Sequence, residues 1–295
     1  MNHIIPISGK DSLATAIIQR QLEPNIDYIY IYNPTGFELP ETFEWLKKVE
    51  EYLEKPIQFV GKNIIDTKEW QSGFRPSAFN RYCTLQSKIK PMEDFTQGHG
   101  FIYYGLRADE SERVGYIAKG KSELVPIYPL RLVGAGLNEV LKICEETGLK
   151  PPTFRWNYLE EEFSRRLGRD YLNSILNEWQ LDLLFAWRKR NNCFNCFFMG
   201  RYEWVGLSEF HPTLFWEMVE VEERLDERKK QHNFIHKDIS LRQLFEKKDE
   251  ILEKHISKMC KLFRSESQLT LDFPNFEKIF YDNLDQKSCG LYCGK

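Results

Sequence analysis

Three stretches of the chain carry side chains that could do chemistry. They are Ser8-Gly9-Lys10-Asp11-Ser12, Cys193-Phe194-Asn195-Cys196 and Cys289-Gly290-Leu291-Tyr292-Cys293. The first lies between an apolar run, Ile4-Ile5-Pro6-Ile7, and a segment with Leu13, Ala14, Ala16 and Ile17 at helical spacing, so it reads as strand, tight loop and helix. Such a turn points backbone N–H groups at whatever sits above it. Gly9 permits close approach, the helix N-terminus favours an anion, and Ser8, Lys10 and Ser12 add donors and charge, so a phosphate is the natural guest. A Walker loop is absent, because Asp11 separates Lys10 from Ser12. A plain helix N-cap explains Ser8 or Asp11 but not the Gly-Lys between them.

The two cysteine pairs suggest metal or redox chemistry. A C-x-x-C turn places two thiolates on one metal or forms a dithiol pair. Together, Cys193, Cys196, Cys289 and Cys293 form a four-thiolate set for zinc or an iron–sulfur cluster. Cys83 has Arg81, Lys88 and Lys90 around it in sequence, a basic setting that favours a thiolate. Cys144 shares a helical face with Val140 and Leu141, and Cys260 with Ile256 and Phe263, so both are expected in cores.

The elements that position these groups begin with a β-α-β-α-β pattern. Tyr28 to Tyr32 is β-rich, Asn33-Pro34-Thr35-Gly36 is turn chemistry, Glu41 to Leu53 has helical spacing, and Ile57 to Val60 is a third strand. Pro6 cannot donate to a ladder, so the first strand must end near it. A further strand is expected at Phe101 to Tyr104, and a helix from Leu137 to Gly148. The pattern predicts an α/β, Rossmann-like parallel sheet with flanking helices over residues 1–150, with ligands beyond the carboxyl ends of the strands. Residues 151–295 are expected to be a helical, cysteine-bearing region. Arg165-Arg166 and Arg188-Lys189-Arg190 read as solvated helix faces or a local polynucleotide patch, and Trp179, Phe185 and Trp187 as core or stacking platforms. Charged helices are expected at 214–231 and 240–263.

Composition narrows the classes. The 295 residues, 42% hydrophobic, can bury a sizeable core, and the net charge of −3 carries no global nucleic-acid signature. No run is long and apolar enough for a membrane span, and Met1 to Ile7 is too short for a secretory signal. Seven cysteines, an odd number with two close pairs, suit a reducing compartment, so the cytoplasm is expected.

The Ser8–Ser12 loop resembles the SGGKDS pyrophosphate loop of the PAPS reductase and adenine nucleotide alpha-hydrolase superfamily, with Ile7 and Ser8 in place of its first serine and glycine. Further motifs follow in the family's order. Asn33 to Thr42 resembles D-T-G-x-x-F-P-E-T, Arg81 to Pro91 resembles R-x-C-T-x-x-L-K-I-x-P, and Gly105 to Arg113 resembles G-x-R-x-x-E-S-x-x-R. Cys193 to Cys196, then Trp204, Leu207 and His211-Pro212, resemble its G-C-x-x-C, W-x-x-L and H-P. Ser288-Cys289-Gly290-Leu291-Tyr292 is similar to the E-C-G-L-H tail of sulfonucleotide reductases.

The resemblance implies a nucleotide site made of Ser8, Gly9, Lys10, Asp11, Ser12, Thr35, Gly36, Arg81, Lys88, Arg107, Glu110 and Arg113. It implies ATP with magnesium, or PAPS or APS, as the nucleotide. It also implies a [4Fe–4S] cluster on Cys83, Cys193, Cys196 and one tail cysteine, with zinc as the alternative. Lys10, Asp11 and Cys289 are its catalytic candidates. The intact Gly-Lys-Asp-Ser implies ATP pyrophosphatase chemistry that adenylates an acceptor, a nucleic acid or a sulfur-carrier protein, ahead of sulfur transfer. The tail implies instead reduction of PAPS or APS with Cys289 as nucleophile, and a catalytically silent nucleotide-binding subunit of a larger complex is the third alternative. No membrane partner is expected, and an oligomer is compatible with the sequence.

Overall fold

The computed structural model describes residues 1–77, 80–110, 113, 123–191, 193–229 and 238–265. Outside them lie Cys289 and Cys293 with the rest of the tail motif, Ser111 and Glu112 of the arginine loop, and His232 and His236. Among the described residues two compact units form: Met1–Pro152 with Asn191–Cys193, and Thr153–Arg190 with residues 194–265.

The first unit contains β1 (His3–Pro6), α1 (Lys10–Leu22), β2 (Tyr28–Tyr32), α2 (Pro40–Leu53), β3 (Ile57–Phe59), β4 (His99–Tyr103), β5 (Glu123–Ile127) and α3 (Leu137–Glu146). All strand pairs are parallel, in the order β3-β2-β1-β4-β5. A sheet covered on both faces needs apolar residues on both, which explains why β1 and β2 read as continuous apolar runs. Ile5, Ile7 and Tyr30 enter one core with Leu13, Ile17, Trp45, Val49 and Val140 from the three helices. Ile4, Ile31 and Ile102 enter a second core with Met92, which belongs to the helix Lys90–Thr96. Pro6 pairs with Ile31 at the end of β1, whereas β1 meets β4 only at His3 and Ile4, so its missing N–H falls beyond that ladder.

The second unit is helical over Asn157–Leu167, Arg169–Ile175, Glu178–Leu184, Arg201–Phe210, Pro212–Lys229, Leu241–Glu246 and Lys248–Ser265. Leu159, Phe163, Phe185, Ile256, Cys260 and Phe263 share its core. Three expectations need correction. The helix expected over 240–263 breaks at Lys247. A two-stranded antiparallel ribbon, β6 (Phe154–Arg155) and β7 (Ala186–Arg188), interrupts the helices. On β7 and just after it, Arg188 is 1% and Lys189 7% exposed, so they form neither a solvated face nor a polynucleotide patch. Trp187 is buried against Gly206, where a Cβ would come within 2.6 Å of the tryptophan's own Cβ. Arg165 and Arg166 both bond Glu162, and Arg166 also bonds Glu253, so their charge is matched by carboxylates.

Among the described residues no helix is long and apolar enough to cross a membrane.

Candidate functional site

The strand order reverses direction at β1: β2 and β3 lie to one side, β4 and β5 to the other. In open parallel sheets the crevice beyond the carboxyl ends at such a reversal is the place where ligands bind. Here it is bordered by the loop after β1, residues 7–9 leading into α1, and the loop after β4, residues 104–113.

The first loop is held by one hydroxyl. Ser8 N and Gly9 N donate to Ser12 Oγ at 2.8 and 3.1 Å, and that hydroxyl donates to Gly9 O at 2.9 Å. Leu13 N returns to Gly9 O at 3.0 Å, which starts α1 at Lys10. The first-turn N–H groups of a helix have no intrahelical acceptor and point along its axis toward the loop. A Cβ placed on Gly9 would meet nothing within 4 Å among the described residues, so the space above the loop is open.

The second loop reaches the first through Gly105. A Cβ there would lie 2.6 Å from the Asp11 carbonyl carbon and 2.7 Å from Ser12 N, so only glycine lets the chain pass this close to α1. The consequence is an ion pair across the crevice, Arg107 NH1 to Asp11 Oδ1 at 3.2 Å, with Lys10 Nζ 3.3 Å from Asp11 Oδ2. Burial pushes the Asp11 pKa up, but Lys10 and Arg107 outweigh it and hold the carboxyl below its ordinary 3.8. Arg107, 6% exposed, also donates from Nε to Asp109 at 2.8 Å. The other oxygen of Asp109 accepts Leu137 N, at the start of α3, at 3.0 Å. Glu110 accepts Arg113 NH1 at 2.7 Å and Arg107 N at 3.3 Å. Arg107 and Arg113, both expected in the nucleotide site, each bond a carboxylate here.

Beyond β2 a second cluster forms. Thr35 N and Oγ1 donate to Glu38 Oε1 at 2.7 and 2.6 Å, and Gly36 N donates to Glu38 Oε2 at 3.0 Å. Cys193 Sγ lies 2.9 Å from Thr35 Oγ1. Either atom of that contact can be the donor. Burial pushes the Cys193 thiol up to about 12; Lys88 opposes this, Glu38 reinforces it, the Thr35 bond opposes it and Cys83 reinforces it. Lys88 and Cys83 therefore lie within electrostatic reach of Cys193. Cys83 and Arg81 stand at the start of the helical run Tyr82–Thr84, which continues as the π-helix Leu85–Ile89. Asn33, at the position where the resembled family has an acid, donates to the Val60 carbonyl.

Of the five expected metal ligands, Cys83 and Cys193 thus come near one another in the first unit. Cys196 is buried in the second unit, and Cys289 and Cys293 lie outside the described residues. Among the described residues no group of three or more His, Cys, Asp or Glu side chains is arranged to hold a metal. Among the described residues Cys83 and Cys193 therefore supply two thiols and no complete four-thiolate site.

Sequence reasoning missed Gly105, Asp109, Glu38 and Arg131. Glu38 stands three residues after Thr35, the spacing of a capping pair, and could have been found so. Arg131 donates to the carbonyls of Arg107, Glu110 and Arg113, 18 to 24 residues upstream, and no local pattern marks it.

Residues 2–120 match the phosphoadenosine phosphosulfate reductase domain. No curated protein matches the chain. Among solved structures it is similar to the phosphoadenylyl-sulfate reductase from Candida auris, crystallised as a phosphate complex. Identity is 15%, with 50% of this chain and 73% of that one covered, and the TM-score is 0.37.

Proposed function

We propose, from the match of residues 2–120 to the phosphoadenosine phosphosulfate reductase domain, that the protein binds an adenine nucleotide in the crevice between β1 and β4 and splits ATP at its α-phosphate. One observation carries the reading: an open glycine loop at the N-terminus of α1, closed by Ser12 and carrying Lys10 beside an ionised Asp11.

An oxygen of the acceptor attacks the α-phosphorus, the bond to the β-phosphate bridging oxygen breaks, and pyrophosphate leaves. The acceptor's proton passes to solvent. Negative charge grows on the leaving pyrophosphate, and the α1 N-terminus with Lys10 stabilises it where it grows. The chemistry that magnesium would supply, were it to accompany the nucleotide, is neutralisation of phosphate charge. Asp11, kept as a carboxylate by Lys10 and Arg107, is the hard oxygen ligand that the loop offers it. Hydrosulfide supplied from outside the protein would then attack the adenylated atom of the acceptor, its new bond to sulfur forming as the bond to AMP breaks.

The test is product analysis on anaerobically purified protein given magnesium-ATP, PAPS and APS separately. AMP and pyrophosphate from ATP, lost in Lys10→Ala and Asp11→Asn, are the expected result. Sulfite from PAPS or APS, lost in Cys289→Ser, would overturn it in favour of reduction. ATP binding without any product would leave a silent nucleotide-binding subunit.

A further inference from the structure

We propose that Arg131 is the positioning residue of this site: it braces the loop after β4 so that Arg107 meets Asp11. The inference deepens the nucleotide-binding reading given above and rests on it for its functional consequence.

Among the described residues of the loop from Gly105 to Arg113 the local backbone bonds are short turns, Leu106 N to Tyr104 O at 2.9 Å, Glu110 N to Arg107 O at 3.3 Å and Arg113 N to Glu110 O at 3.1 Å. One further backbone bond ties it to its neighbour, Ala108 N to Ala135 O at 2.9 Å. Arg131 supplies what these lack. Its NH2 donates to Glu110 O at 2.6 Å and Arg113 O at 2.8 Å, and its Nε reaches Arg107 O at 3.4 Å. One half-buried guanidinium therefore gathers three carbonyls spaced three residues apart, two of which already accept a local N–H. A carbonyl oxygen has two lone pairs, so both donors are accommodated.

The brace works from one side while Glu110 works from the other, its carboxylate joining Arg107 N to the Arg113 side chain. Between them the backbone of Arg107 is fixed. Its side chain runs from there with Nε to Asp109 and NH1 to Asp11. Arg131 is itself anchored on the short helix Pro129–Leu132 that follows β5, with its guanidinium 5.6 Å from the Tyr128 ring centroid. It makes no bond to Asp11 or Lys10 among those described, so it acts through Arg107. Lysine could not replace it fully, because a single ammonium cannot reach three separated carbonyls in a fixed fork.

The experiment is a double-mutant cycle that needs no ligand, with a binding measurement beside it. Asp11→Asn is compared in the wild-type and Arg131→Ala backgrounds by urea unfolding, and Arg131→Lys serves if the alanine variant does not fold. If the brace presents Arg107 to Asp11, the two changes are non-additive by at least about threefold in the unfolding equilibrium constant. Additive effects overturn the proposal. ATP affinity, read by calorimetry on the full chain, is expected to fall on the order of tenfold in Arg131→Ala and to recover partly in Arg131→Lys. Unchanged affinity in Arg131→Ala would also overturn it. Coupling in the unfolding cycle with no ATP binding by the wild type leaves the brace standing and removes the nucleotide reading instead.

Discussion

Arg107 and Asp11, 96 residues apart in the chain, meet at 3.2 Å and tie the loop after β4 to the first turn of α1. The arginine is nearly buried and shares itself between Asp11 and Asp109, so its removal takes the guanidinium from two carboxylates at once and leaves Asp11 to Lys10 and Asp109 to Leu137 N. Breaking such a buried pair from one side costs about 3 kcal/mol. Arg107→Ala is therefore expected to lower the urea midpoint accordingly and to weaken ATP binding. Arg107→Lys should recover little of either, because one ammonium lacks the two-pronged reach of the fork. Wild-type stability in Arg107→Ala would show that the pair holds nothing together.

Acid should act through Asp11. Its folded pKa lies below 3.8, so the folded state binds the proton less readily than the unfolded chain does. The stability it contributes is present above the unfolded value and is lost as pH falls through the folded one. A stability profile between pH 5 and 2 is expected to flatten in Asp11→Asn relative to wild type. Parallel profiles would mean that other carboxylates carry the acid response.

Gly105→Ala tests the close approach of the two loops. The added methyl group must displace the backbone of Asp11 and Ser12, which a rigid helix start resists. Overpacking of this kind costs about 1–3 kcal/mol. ATP affinity should fall with it, whereas alanine at Gly134, where φ is +70° but nothing crowds the position, should leave affinity unchanged.

In the helical unit the base-side response belongs to Lys189. Burial lowers its pKa from 10.5 to about 7; Glu203 opposes the shift, and Arg190 and Lys258 reinforce it. The Tyr202 ring lies 5.3 Å from its ammonium, and His255 stacks on that ring at 3.8 Å. His255 is itself shifted well below its ordinary value by burial, then by Lys189 and Lys258. Between pH 7 and 10.5 the unfolded chain keeps a lysine proton that the folded chain has shed, so stability rises with pH there. Lys189→Met should abolish that rise, as followed by urea midpoints at pH 7, 8.5 and 10.

Much of the first unit was legible because a doubly covered sheet writes its strands as apolar runs. Tyr28 to Tyr32 was bounded to the residue, and Pro6 marked where β1 had to end. The Ser8–Ser12 loop was legible for the same reason, as turn chemistry between a strand and a helix. The ribbon of β6 and β7 was not, since two and three residues are too few to show alternation. Arg188 and Lys189 looked like a solvated cluster because sequence reports charge and not what packs over it. Asp109 and Arg131 escaped because their partners, α3 and the carbonyls of a loop, are supplied by the fold and carry no side-chain signature.

The bonds from Thr35 to Cys193 and from Thr42 to Asn191 span 158 and 149 residues, and both lie inside the first unit. During translation the sheet domain emerges first yet is incomplete at Pro152. It waits while residues 153–190 are made, an interval on the order of seconds at typical elongation rates. A further piece of the nascent domain is delivered after a helical segment that belongs elsewhere, so the two units are interleaved in time although they are separate units in the finished fold. A gene fragment cut at the apparent boundary would yield a domain that never receives its closing residues.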